Sequence, residues 1–356
     1  MPSKKSSKKK PTKNSRPNFL HQLMGEGQER LEDLFDAVAS SGLESLVRDF
    51  SSDKVMERIT SLLRQFSEID KDTLNGFRYI IQATFEAYRE NLKKRQRGEY
   101  EVDEFGLDED FHDLVRPFFS FLYRKWWRVE TSGLENVPTD GPALLVANHS
   151  GVLPWDGAMI ATAVLTEAKV PRITRTLYLD MFTKMAFIHP LLTRTGQVFA
   201  CPENAERLLK KGNLTCVFPE GLKGVGKLFK DRYQLARFGR GGFVKSAIRG
   251  RAPIIPVSVV GAEEIYPTIM RADIIGKPLG SPMFPITPFF PWLGLLGMVP
   301  LPSKWAIHFG KPIHTDEYEP RQANNFLVVQ KVTNQVRDEI QGQVKKMVRK
   351  RGPAFA

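Results

Sequence analysis

Ala143-Leu144-Leu145-Val146-Ala147-Asn148-His149-Ser150-Gly151-Val152-Leu153-Pro154-Trp155-Asp156 is the stretch on which the reading of this 356-residue chain turns. Its first five residues are apolar and too few for a helix, and polar or turn-forming residues follow at once, so it reads as a buried strand running into a loop. Comparable runs recur at Leu214 to Phe218, Ile254 to Val260 and Trp305 to Phe309, with helix-like segments such as Glu203 to Lys211 between them. That alternation predicts an α/β fold: a layered αβα domain with a mostly buried central sheet.

Toward the N-terminus the rhythm is different. Apolar residues such as Leu31, Leu34, Phe35 and Val38, then Ile59, Leu62, Leu63 and Phe66, recur at helical spacing. They predict an amphipathic helical region over 19–98, preceded by a tail over 1–18. The first sixteen residues hold seven Lys or Arg and no acid, and no apolar run follows them, so the tail reads as disordered and basic, not as a secretory signal. Eight acids without a Lys or Arg between Glu99 and Asp113 predict an extended, solvated linker over 99–113. The α/β domain is then expected over 114–320. Val329, Val332, Val336, Ile340 and Val344 predict a closing amphipathic helix within 321–356.

Two apolar stretches have more than one reading. From Arg116 to Arg128, Phe118, Phe119, Phe121, Tyr123, Trp126 and Trp127 stand beside Arg124, Lys125 and Arg128, which fits either a bilayer interface or a core helix. From Pro278 to Ser303 there are 26 residues without a charge, but seven prolines exclude a straight membrane-crossing helix. A loop or short re-entrant hairpin that enters lipid or lines an acyl pocket is expected, against a buried proline-rich loop.

Lys plus Arg exceed Asp plus Glu by 52 to 40, so the surface should attract phosphates on nucleic acid, coenzyme A or anionic lipid. No zinc-finger, homeodomain or RNA-recognition signature accompanies the charge, and no nucleic-acid partner is expected. The cysteines, Cys201 and Cys216, show neither disulfide nor zinc-ligand spacing, which fits a reducing cytosol.

The chemistry starts at His149. A histidine at a strand end takes a proton from a hydroxyl near neutral pH, and a carboxylate on its other nitrogen fixes the tautomer and stabilises the imidazolium. Asp156 is the candidate for that second role. A second turn, Phe218-Pro219-Glu220-Gly221, follows the Leu214 strand and should open on the same sheet edge.

An Asn-His start with a downstream Asp, followed by Phe-Pro-Glu-Gly, resembles the glycerolipid acyltransferase superfamily of the lysophosphatidate acyltransferase type, over roughly Leu134 to His314. The resemblance implies that His149 deprotonates an acceptor hydroxyl, that the hydroxyl attacks an acyl thioester, and that Asp156 orients His149. It implies acceptor-binding roles for Glu220 and Gly221, and places Pro256 in the family's hydrophobic fourth motif. Asn148 heads the first motif and is grouped with these substrate-binding candidates.

Two departures mark a divergent branch. Six residues separate His149 from Asp156 where the family has four, and a loop bulged through Gly151 and Pro154 is expected to restore the contact. Cys201 stands where the family has a phosphate-binding arginine, with Arg194 the nearby substitute; otherwise the acceptor is an uncharged lipid alcohol. Nine basic residues against one acid from Lys223 to Arg251 are read as a seat for coenzyme A phosphates or anionic headgroups, or as a solvated basic face. Lys223 and Lys227, nearest the Glu220 turn, are expected to be its site members.

The expected activity is therefore a membrane-associated O-acyltransferase acting on a glycerol or glycerolipid hydroxyl. Its donor is acyl-CoA or acyl carrier protein, it requires no metal or redox cofactor, and it attaches peripherally or monotopically to the cytoplasmic side of a membrane. The competing reading is a catalytically inactive lipid-binding protein of the same fold, with the altered His-to-Asp spacing as its support.

Overall fold

The computed structural model describes residues 93–94, 96–99, 101–151, 153–184, 188–273 and 284–355. The expected tail at 1–18 and nearly all of the expected helical region at 19–98 lie outside the described residues.

The domain is built on a seven-stranded sheet. Its strands are β1 (Glu130–Ser132), β2 (Ala143–Ala147), β3 (Thr174–Tyr178), β4 (Val198–Phe199), β5 (Leu214–Val217), β6 (Ile254–Val260) and β9 (Ala306–Phe309), in the order β1-β9-β6-β2-β5-β3-β4. Every neighbouring pair is parallel except β6 and β9. A separate two-stranded pair joins β7 (Met270–Arg271) to β8 (Pro285–Ile286).

The helices follow from the same alternation: α1 (Glu109–Phe121), α2 (Trp155–Glu167), α3 (Ile188–Arg194), α4 (Pro202–Lys210), α5 (Leu222–Val225), α6 (Gly242–Gly250) and α7 (Phe326–Arg351). Parallel strands need crossovers, and helices supply them, so both sheet faces are covered and the strands read as unbroken apolar runs. In β2 every residue is buried. Leu145 and Ala147 enter one core with Trp127, Met159, Ile160 and Trp305, and Leu144 and Val146 enter the other with Val244, Ile248, Val336 and Ile340. The alternation is the period-two pleat expressed on two dry faces.

Three expectations require correction or completion. Residues 101–113 are not an extended solvated linker, because cations from distant parts of the chain pair with three of their acids. Asp103 pairs with Arg175 and accepts the Phe105 and Leu107 amides, and Glu104 pairs with Arg207 and Lys211. Asp108 caps α1, accepting from Phe111 N at 2.9 Å. The aromatic stretch is largely core: Tyr123 and Trp127 are buried, and Trp127 stacks on Trp305 with ring centroids 4.7 Å apart. Phe118 remains exposed. The expected C-terminal helix packs into the same core as the sheet, since α7 lies against β6 and supplies Val329, Val332, Val336, Ile340 and Val344 to the second core.

Of the uncharged stretch, residues 284–303 are described. They carry β8 and a short 3-10 turn at Gly294–Met298, with Phe289, Trp292, Leu293 and Val299 exposed. No helix among the described residues is long and apolar enough to cross a membrane.

Candidate active site

The loop after β2 is tied down on both sides of His149. Asn148 spends its whole amide on the neighbouring strand, donating from Nδ2 to Val259 O (2.9 Å) and accepting Val259 N at Oδ1 (2.8 Å). It is therefore a brace between β2 and β6, not the substrate ligand expected.

Gly151 then turns the chain with a left-handed φ of +84°, and α2 begins at Trp155. The two additional residues between His149 and Asp156 are absorbed in this turn. Asp156, fully buried in the first turn of α2, returns its carboxylate to the loop: Oδ2 accepts from His149 Nδ1 at 2.6 Å and from Ser150 N at 3.0 Å. Binding Nδ1 to a carboxylate leaves Nε2 as the ring nitrogen available to a substrate.

The Phe-Pro-Glu-Gly turn after β5 supports the same histidine from the other side. The Phe218 ring stacks on the imidazole, centroids 4.4 Å apart and planes 28° apart. Glu220, buried, accepts His149 N at Oε1 (2.8 Å) and Ala236 N at Oε2 (2.5 Å). Its carboxylate thus sutures two loops, a different task from binding an acceptor.

Lys227 completes the arrangement, 2.6 Å from Glu263 Oε1 and 3.5 Å from Glu220 Oε2. Burial alone would lower the Lys227 pKa, but the two carboxylates outweigh it and hold the ammonium above its ordinary value. Burial also keeps the Glu263 carboxyl raised despite that partner. Lys227 is consumed in this triad, so the expectation that it binds a substrate anion is corrected.

Glycines set how closely the turn approaches. Gly221 has φ +53° and ψ −140°, a conformation that a side chain forbids. At Gly224 a Cβ would lie 2.8 Å from the Cβ atoms of both His149 and Glu220, so α5 packs directly on the histidine loop only because residue 224 has no side chain.

His149 and Gly221 line a cavity of about 260 Å³ whose walls are mostly apolar, with Leu153, Trp155, Tyr178, Leu179, Phe182, Leu191, Leu192 and Phe218 among them. Among the described side chains, none from 284–303 lines it, so these are not the expected wall of an acyl pocket; residues 278–283 lie outside the described residues.

The remaining candidates lie elsewhere. Arg194 is committed to Asp108, donating from Nε (3.0 Å) and one terminal nitrogen (2.8 Å), with its guanidinium 3.9 Å from the Phe111 ring centre. It anchors α1 and does not replace the missing arginine. Pro256 is buried inside β6, in register with Val146, and is not among the residues that line the cavity beside His149. Lys223 is exposed on the far side of the Glu220 turn, facing a wider cleft. Cys201 caps α4, its Sγ accepting Asn204 N at 3.4 Å, and burial raises the Cys216 thiol far above its ordinary value, so that thiol is inert.

Sequence reasoning missed the stacking of Phe218, the close approach at Gly224, and the cavity walls from β3, α3 and the turn at Asp180–Lys184. Only the glycine cluster from Gly221 to Gly226 carried a signal, and its spacing does not say which glycine is crowded.

A family model described as Acyltransferase matches residues 128–260. An uncharacterised protein of Mycobacterium leprae is 44% identical over 309 residues, covering 83% of this chain and 84% of that one. A probable 1-acyl-sn-glycerol-3-phosphate acyltransferase of Mycoplasma pneumoniae is 28% identical over 160 residues, 43% of this chain and 56% of its own. Among solved structures, the 1-acyl-sn-glycerophosphate (LPA) acyltransferase of Thermotoga maritima aligns with a TM-score of 0.45 and 17% identity, over 67% of this chain and 81% of that one. The segment that the Acyltransferase model matches contains both loops that meet at His149, so the likeness to acyltransferases takes in the whole candidate site.

Proposed function

We propose that this acyltransferase moves a fatty acyl group from a thioester donor, acyl-CoA or acyl carrier protein, to a glycerol or glycerolipid hydroxyl, with His149 as general base. The observation that carries the reading is the His149 Nδ1 to Asp156 Oδ2 contact of 2.6 Å at the wall of an apolar cavity.

In this reading Nε2 accepts the hydroxyl proton as the acceptor oxygen bonds to the thioester carbonyl carbon. The carbon–sulfur bond then breaks, and the leaving sulfur takes that proton from the imidazolium, returning His149 to its neutral state. Asp156 holds the tautomer and lowers the energy of the transient cation. The apolar cavity receives the acyl chain. The likeness to the probable 1-acyl-sn-glycerol-3-phosphate acyltransferase of Mycoplasma pneumoniae supports the glycerolipid class of acceptor.

Peripheral attachment to the cytoplasmic face of a membrane belongs to the same proposal. Ile269, Met270, Phe289, Trp292, Leu293 and Val299 expose apolar side chains on and around the β7–β8 pair, and such patches mark membrane or protein contact. The rival reading, an inactive lipid binder, rested on the His-to-Asp spacing, which does not part the pair.

The test is transfer of radiolabelled acyl from acyl coenzyme A, and from acyl carrier protein, to lysophosphatidate, glycerol phosphate, lysophospholipid and diacylglycerol. Wild type is expected to form product with at least one acceptor, and His149→Ala to lose about 10²–10⁴-fold in turnover. Transfer that survives in His149→Ala, or no transfer from either donor while vesicle binding persists, overturns the proposal.

A further inference from the structure

Tyr233 sits in the left-handed region, at φ +66°, which is costly for a residue with a bulky side chain and persists only where the surroundings hold it. All three of its polar groups are held. Its N–H donates to Glu263 Oε2 at 2.5 Å, its carbonyl accepts Gln341 Nε2 at 2.9 Å, and its hydroxyl donates to Glu264 and accepts from Arg351 at 3.3 Å. Arg351, the last residue of α7, also meets the Glu264 carboxylate with both terminal nitrogens and donates to Lys304 O at 2.8 Å. Both side chains of that pair are buried.

From Tyr233 the restraint runs on to the histidine. Gln341 Oε1 accepts Leu235 N at 2.9 Å, so a single amide side chain of α7 clasps the loop on both sides of Gln234. The next residue of that loop, Ala236, donates to Glu220 Oε2, and Glu220 Oε1 accepts His149 N. Lys227 closes the circuit, lying between Glu263 and Glu220 and donating to Gln234 O at 3.2 Å. The loop at 233–236 is thus held by α7 on one side and by the acids that reach His149 on the other. In a buried network of this kind each bond fixes the geometry of the next, so loosening one end is felt at the other.

We infer that the C-terminal half of α7 sets the position of the histidine loop, with Gln341 and Arg351 as positioning residues that act through Tyr233, Ala236 and Glu220. Both lie beyond residue 260, where the matched family segment ends, and neither lines the cavity beside His149. The inference rests on the transferase reading for what His149 does, and on geometry alone for what holds it.

Two readouts on the full chain test it. One is kcat and KM for transfer from palmitoyl coenzyme A to lysophosphatidate; the other is hydrogen exchange at the His149 amide beside that of Leu145 in β2, which reports the stability of the sheet. The variants are Gln341→Ala and the double variant Arg351→Met with Glu264→Gln, since removing Arg351 alone strands a buried carboxylate. Val332→Ala, a core truncation nearer the start of the same helix, is the control. Gln341→Ala and the double variant should lower kcat about tenfold, part of the roughly 10²-fold that a shift of about 1 Å costs. KM should stay within about twofold, because nothing that touches substrate is removed. Exchange at His149 should rise at least about tenfold more than at Leu145. Val332→Ala should speed both amides alike and leave kcat within about twofold. Arg351→Lys, which keeps the charge but not the fork, should fall between wild type and the double variant in kcat. Equal acceleration at His149 and Leu145 in Gln341→Ala, or kcat within about twofold of wild type in both Gln341→Ala and the double variant, overturns the inference. A wild type that transfers nothing refutes the transferase reading instead, and the exchange comparison, which needs no substrate, still decides the positioning.

Discussion

Replacing Asp156 with asparagine removes one charge and almost no volume from a position with no exposed surface. The carboxylate has three acceptor duties: His149 Nδ1 at 2.6 Å, Ser150 N at 3.0 Å and Gly157 N at 2.8 Å. An amide cannot meet them all. With its oxygen toward Gly157, its NH₂ faces Nδ1 and forces the tautomer whose Nε2 carries a hydrogen and is no longer a base. With its oxygen toward His149, its NH₂ opposes the Gly157 N–H, which costs about 1–3 kcal/mol of stability. In either arrangement the imidazolium formed during transfer loses its counter-charge. At a charge separation of roughly 4 Å and an effective dielectric of about 20, that loss is about 4 kcal/mol, equivalent to roughly 10³-fold in rate. The assay is turnover at saturating donor and acceptor, beside a thermal melt showing that the variant is folded. A folded Asp156→Asn protein within about threefold of wild-type turnover refutes the assignment of Asp156 as the orienting carboxylate.

Gly224→Ala drives a methyl group into the backbone of the histidine loop, with contacts of 2.8 Å to His149 Cβ and 3.0 Å to His149 O. Since a displacement of about 1 Å costs on the order of 10²-fold, turnover should fall steeply while circular dichroism stays unchanged. Asn148→Ala strips both hydrogen bonds from Val259 in the sheet interior; denaturant melts should show a loss of about 2–4 kcal/mol, because Asn148 is a brace. Trp292→Asp with Leu293→Asp, at positions 62% and 55% exposed, should reduce sedimentation with anionic vesicles by at least about tenfold and leave transfer to a water-soluble acceptor intact. Unchanged vesicle binding removes this patch from the membrane proposal.

The layered fold was legible because buried parallel strands have no polar face. Ala143–Ala147 and Ile254–Val260 begin and end in the structure where their apolar runs do, and their polar successors are the loops that build the site. His149, Asp156 and the Glu220 turn were legible as motifs. Their tasks were less so, since a motif names a residue and not the atom that it faces. Asn148, Glu220, Lys227 and Arg194 all read as groups for a substrate. All four are spent inside the protein, on Val259, on His149 and Ala236, on Glu263 and on Asp108. The acidic run at 99–113 misled for the same reason, because its neutralising cations, Arg175, Arg194, Arg207 and Lys211, lie some sixty or more residues away in the chain.

Local patterning by itself determined four of the strands, the closing helix, the two site loops and the basic stretch after Lys223, because hydrophobic periodicity and turn chemistry act between near neighbours. Whether six intervening residues would part His149 from Asp156 was decided only by tertiary structure, through the Gly151 turn and the seating of α2. The same holds for which polar side chains are spent inside the protein. Ion pairs and cavity walls form between segments distant along the chain, and the folded sheet alone brings those segments together.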